Sequence, residues 1–203
     1  MTRFSVGFTS LATALALALL STASISAEVV LPIRIRTFAV NMGNNFTGAN
    51  GTLQIVIDQW STEQERAALL QTVPKGQDDL LKAVQKSPVK GRINIPGWSG
   101  PDPQNYRLGW NLRYAWREAL PDGGDRIVVA TDRQMSFRET VNNPRTTDYP
   151  FILIQMEINK DGTGQGTMVP FAQITFDKKK NAMVIENFGV GGVRLNNITV
   201  EKK

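Results

Sequence analysis

Residues 107–133 read RLGWNLRYAWREALPDGGDRIVVATDR, and this pattern leaves little room for anything but a β-hairpin. Leu108, Trp110, Leu112, Tyr114 and Trp116 alternate with Gly109, Asn111, Arg113, Ala115 and Arg117. A period of two puts the first set on one face of a strand and the second set on the other. The sequence therefore predicts an aromatic and aliphatic face turned to a core, with Arg113 and Arg117 turned to water. Pro121, Asp122, Gly123 and Gly124 supply a preset φ, a side chain that bonds its own backbone and residues tolerant of positive φ, so the chain reverses there. Arg126 to Ala130 returns as a β-branched strand.

The rest of the chain reads as short strands around this hairpin. Residues 29–40 alternate, with Leu31, Ile33, Ile35 and Thr37 on one side and Arg34 and Arg36 on the wet side. Residues 52–59 form a second strand through Leu53, Ile55 and Ile57. The period changes at Ser61, a good helix N-cap with Gln64 three residues on. Ala67, Leu69, Leu70 and Val73 mark one helix, which Pro74 ends. Leu80, Leu81 and Val84 mark another over residues 78–85. The pair is expected to cover an end or edge of a sheet, as a fixed plug or as a gate over a cavity. Short strands are expected at 91–95, 151–158, 168–176, 182–188 and 193–200, with a Gly-rich turn at 159–166. Residues 135–141 are ambiguous between strand and helix. No helix is long enough for a parallel crossover. The expected fold class is mainly β: an antiparallel β-barrel or β-sandwich with a small two-helix insertion at about 61–86.

The first residues look like an address. Arg3, the uncharged apolar run 11–20 and the small residues Ser24 to Ala27 have the three-part layout of a secretory signal peptide. The expectation is a signal peptide over 1–27 and a single β-rich domain over 28–203, exported to the periplasm or beyond a bacterial cell. The apolar run falls short of the roughly 20 residues that a membrane span needs, and no transmembrane segment is expected in the mature chain.

Composition narrows the chemistry. The chain has no Cys and no His. That excludes disulfides, a Ser-His-Asp triad, a Cys nucleophile, His-ligated zinc and an imidazole switch. Without Arg3 the basic count falls from 23 to 22 against 18 acids, a net charge of +4. It is spread along the sequence, so no nucleic-acid partner is expected. Residues 159–166 lack the acidic ladder of a calcium loop, and residues 189–192 lack the Lys-Ser/Thr pair of a phosphate cradle. No metal site and no cofactor is expected.

Two groups of residues could carry function. Trp98, in the loop 96–104, could stack on a ligand, and Trp110, Tyr114 and Trp116 would line the interior of a hollow barrel and hold a small apolar molecule. Asp122, Asp125, Asp132 and Glu139 are the acids densest around the hairpin. A hydrolase would draw on Asp132 and Glu139, but a charge ladder with Arg113, Arg117, Arg126 and Arg133 explains these acids with less assumption.

Several segments resemble an uncharacterised family of exported bacterial proteins with no assigned function. They are Gly51-Thr52-Leu53 with Trp60-Ser61, residues 108–115, residues 120–124, Ala130-Thr131-Asp132-Arg133 and Asp148-Tyr149-Pro150-Phe151. The resemblance implies an exported bacterial setting and carries no activity. The expected role is a non-enzymatic binding or structural protein of the envelope, holding a small apolar ligand. The alternatives are a carboxylate-dependent hydrolase acting outside the cytoplasm, or a module that engages an envelope protein partner at an exposed strand edge.

Overall fold

The computed structural model describes residues 30–42, 50–96, 109–133, 150–177, 182–187 and 192–201. Nine strands and two helices follow in chain order: β1 Ile33–Asn41, β2 Gly51–Ile57, α1 Glu63–Thr72, α2 Gln77–Lys86, β3 Gly91–Asn94, β4 Trp110–Ala119, β5 Asp125–Thr131, β6 Phe151–Ile158, β7 Thr163–Asp177, β8 Ala182–Asn187 and β9 Val193–Val200. A 3-10 turn, Val73–Lys75, joins the helices.

Every pairing is antiparallel. The order β6-β5-β4-β3-β2-β1-β9-β7 closes on itself because β6 also pairs with β7. The result is a closed eight-strand antiparallel barrel, and β8 lies outside the ring on the far half of β7, with Ala172 opposite Asn187 and Asp177 opposite Ala182. The alternation seen in the sequence sets the two faces of the wall. Ile33, Ile35 and Thr37 of β1 point inward beside Ile57, Ile55 and Leu53 of β2. The five aliphatic residues join Ile93, Leu112, Val129, Ile154, Met156, Met168 and Leu195 in one contiguous buried cluster. An eight-strand barrel has an interior just wide enough for side chains to fill, and each fully buried aliphatic side chain contributes about 1.5–3 kcal/mol relative to exposure.

The central hairpin forms as its alternation predicts, with Trp116 opposite Val128 and Ala119 opposite Asp125. Its single buried face does not survive past Leu112. The β4–β5 register shifts between Leu112 and Tyr114. A bulge of one residue moves every later side chain to the opposite face. Trp110 and Leu112 therefore lie inside, Ala115 is fully buried there, and Tyr114 and Trp116 lie on the outer wall. The cause is visible on the flank of β4 away from β5. The β3–β4 pairing ends with Gly91 opposite Leu112, and Ser61 takes over from β3. The Ser61 amide donates to the Ala115 carbonyl at 2.7 Å, and the Ala115 amide donates to Ser61 Oγ at 3.1 Å.

That use of Ser61 moves the helix start by one residue. The N-cap is Thr62, whose hydroxyl accepts from the Glu65 amide while the Glu65 carboxylate accepts from the Thr62 amide at 2.7 Å. The helices are neither a gate nor a plug. Val73, Leu80 and Val84 pack with Phe151 and Ala172 in a second cluster on the outer wall of β6 and β7.

The Gly-rich stretch is a shorter turn than the sequence suggested, because β7 already begins at Thr163. Gly162, at φ +86°, closes a four-residue connection, in which the Asp161 carboxylate accepts from the Thr163 amide at 2.9 Å. Gly164 permits close approach of β6 and β7, since a Cβ there would lie 2.2 Å from the Glu157 carbonyl oxygen. The segments 1–27, 96–104 beyond Pro96, 135–141 and 189–191 lie outside the described residues.

Candidate functional site

The four aromatic candidates do not share one chamber. Trp98 lies outside the described residues. Trp110 is inside the barrel and 6 % exposed. The Arg133 guanidinium lies 5.5 Å from its ring centroid, and Arg133 also donates to the Gly109 carbonyl. Tyr114 and Trp116 sit on the outer wall near α1, where Arg66 covers the Trp116 ring at 5.0 Å and pairs with Glu63 at 3.1 Å. Burial pushes the Tyr114 phenol above its ordinary pKa, with Arg66 opposing. These contacts fix α1 to the wall.

The acids of the hairpin form the charge ladder. Asp132 meets Arg113 at 2.8 Å, Asp125 meets Arg117 at 2.8 Å, and Arg126 reaches both Glu157 at 3.1 Å and Glu118 at 3.5 Å. Arg113 also donates to the Ser87 carbonyl at the end of α2. The Asp122 carboxylate accepts from the Gly124 amide at 2.9 Å, as a turn residue does. Glu139 lies outside the described residues, and among those described no group of three or more acids could hold a metal ion.

One ion pair was not legible in the sequence. Lys90 is 2 % exposed, and its ammonium lies 2.8 Å from each oxygen of Glu65. The hydrogen bond from Lys90, then the one from the Thr62 amide, holds the Glu65 carboxyl below its usual pKa. The pair joins the cap of α1 to the segment leading into β3. Lys90 precedes the strand read from Gly91, and only the tertiary fold buries it, while Val89 beside it stays exposed.

Two surface features remain. An open pocket of about 450 Å³ lies where the β4–β5 turn meets the β6–β7 turn and β9. Its lining mixes polar and apolar residues, with Asp122, Glu157 and Gln165 beside Leu120, Ile158 and Ile198. The second feature is β8, the one described strand with a partner on one side only. Its sequence, AMVIEN, carries a single charge and no proline. Sheet edges are ordinarily blunted by lysine, proline or a bulge, and β8 has none of these.

Comparison with known protein families, with characterised proteins and with solved structures gives no match.

Proposed function

We propose that this chain is an exported, non-enzymatic binding protein of the bacterial envelope, and that it engages a protein partner by adding an extended segment of that partner to β8. The observation that carries this reading is the topology. Among the described residues the eight strands of the ring have neighbours on both sides, and β8 has one. Strand addition draws affinity from main-chain hydrogen bonds and needs an unblocked edge of several residues. The packed apolar interior argues against a ligand held inside the ring. The Arg113 partner of Asp132 argues against that acid as half of a catalytic Asp132–Glu139 pair.

The absence of native cysteine makes the test direct. Val184→Cys carries a thiol-linked photo-crosslinker to the middle of β8. Irradiation in an envelope extract is expected to give one discrete adduct. The adduct should vanish when Ile185→Pro removes a main-chain donor from the strand. No adduct, or an adduct indifferent to the proline, would reject the β8 reading.

A further inference from the structure

The barrel gathers arginines that the sequence scatters. Arg34 and Arg36 point outward from β1, and Arg34 lies opposite Val56, which lies opposite Arg92 of β3. On the other flank Arg194 of β9 stands opposite Val40. All four are exposed. Neighbouring strands are about 4.8 Å apart and same-face residues about 7 Å apart. Arg34, Arg36 and Arg92 therefore form one basic cluster spanning about 10 Å.

Charge on the two sides of the barrel is segregated. The β4–β6 side neutralises its arginines with Asp125, Asp132, Glu118 and Glu157. On the β9–β1–β2–β3 side, Glu201 touches Arg36 at 3.6 Å with both side chains well exposed, a geometry of little energetic weight. Asp58 lies one residue past the end of β2. Arg34, Arg92 and Arg194 have no carboxylate partner among the described residues.

The same wall exposes apolar side chains. Of the five large hydrophobic residues exposed in the described chain, Val30, Phe38 and Met42 belong to β1 and its two ends. Phe38 and Met42 share the outward parity of Arg34 and Arg36. The outward row is thus Arg, Arg, Phe, Val, Met over about 26 Å. Arginine forks bind phosphate, and a flanking aromatic and thioether enter the boundary between headgroups and acyl chains.

We propose that the outer wall of β1, with Arg34, Arg36, Arg92, Arg194 and Phe38, is a docking face for an anionic phospholipid surface. The proposal is independent of the β8 edge. The full chain would be sedimented with vesicles of phosphatidylcholine alone and of phosphatidylcholine and phosphatidylglycerol in equal parts. Every variant keeps residues 1–27, so their apolar run is a constant background. The face predicts preference for the anionic vesicles, weakened by salt. Arg34→Ser with Arg36→Ser lowers that affinity about 30-fold, at about 1 kcal/mol per arginine near the surface. Phe38→Ser lowers it several-fold and leaves the salt dependence intact. Lys75→Ser, on the helical side, changes nothing. Far-UV circular dichroism confirms that each variant keeps the barrel. Equal binding to neutral vesicles, or wild-type binding by the double variant, overturns the proposal. So does binding to soluble polyglutamate without vesicle binding, which would assign the face to an acidic protein.

Discussion

Lys90 and Glu65 form a pair of unequal members, and the inequality predicts which half is costlier to lose. The Lys90 side chain is 3 % exposed, whereas that of Glu65 is 27 % exposed. Glu65→Gln removes the negative charge and leaves a sealed ammonium facing a neutral amide. Stranding one member of a buried pair costs about 3–5 kcal/mol. Lys90→Met keeps an unbranched apolar stem of similar length and removes the buried charge instead. Glu65 then retains the Thr62 amide and reaches water, so the cost falls to about 1–2 kcal/mol, near that of one lost charged hydrogen bond. The double variant is expected to be more stable than Glu65→Gln alone. Equilibrium denaturation followed by tryptophan fluorescence gives the three values. A Lys90→Met variant as damaged as Glu65→Gln would refute the argument that burial of the ammonium dominates. The pair also fixes an acid-side pH dependence. The Glu65 carboxyl is lowered in the fold from an ordinary 4.5, first by Lys90 and then by the Thr62 amide. Its contribution is complete above that value and is lost as pH falls through the lower folded one. In Glu65→Gln this component of acid destabilisation is absent, and stability against pH flattens below about 4.5.

Three further outcomes follow from the geometry. Trp110→Ala should cost about 3–5 kcal/mol as a large-to-small change in the core, whereas Trp116→Ala on the outer wall should cost distinctly less. Iodide should quench the fluorescence of Trp116 more readily than that of Trp110, measured in chains that keep one of them as the single tryptophan of the four. Gly164→Ala places a methyl 2.2 Å from the Glu157 carbonyl oxygen, so β6 and β7 must separate and the thermal midpoint should drop sharply. Thr62→Ala removes the reciprocal cap of α1 and should cost about 1 kcal/mol, seen as a small fall in the denaturation midpoint.

Most of the fold was legible because alternation and turn chemistry are local. The Pro121 to Gly124 turn, the β-branched strand after it and the two-helix insertion needed only neighbouring residues to be read. The bulge at Arg113 was not readable, because it depends on how few residues of β3 reach β4 and on Ser61, distant in sequence, filling the gap. The same contact explains why Thr62 and not Ser61 caps α1. The charge ladder was legible in outline, and the burial of Lys90 was not. The basic wall was hidden for a similar reason: Arg92 and Arg194 are far along the chain from Arg34 and Arg36, and they reach the same wall only through the pairing of β1 with β2 and β9 and of β2 with β3. A net charge of +5 spread along the sequence says nothing about which side of a barrel receives it.

The position of β9 between β1 and β7 has a consequence for biogenesis. The ring cannot seal until its last strand is present, since β1 has no other neighbour on that flank. A chain emerging from its amino end would wait, with the first strand half paired, until residues 193–200 came clear. Closure over so long a loop is slow compared with forming a hairpin. Holding the tail back with a stalled carboxy-terminal fusion should therefore leave the amino-terminal strand open to protease.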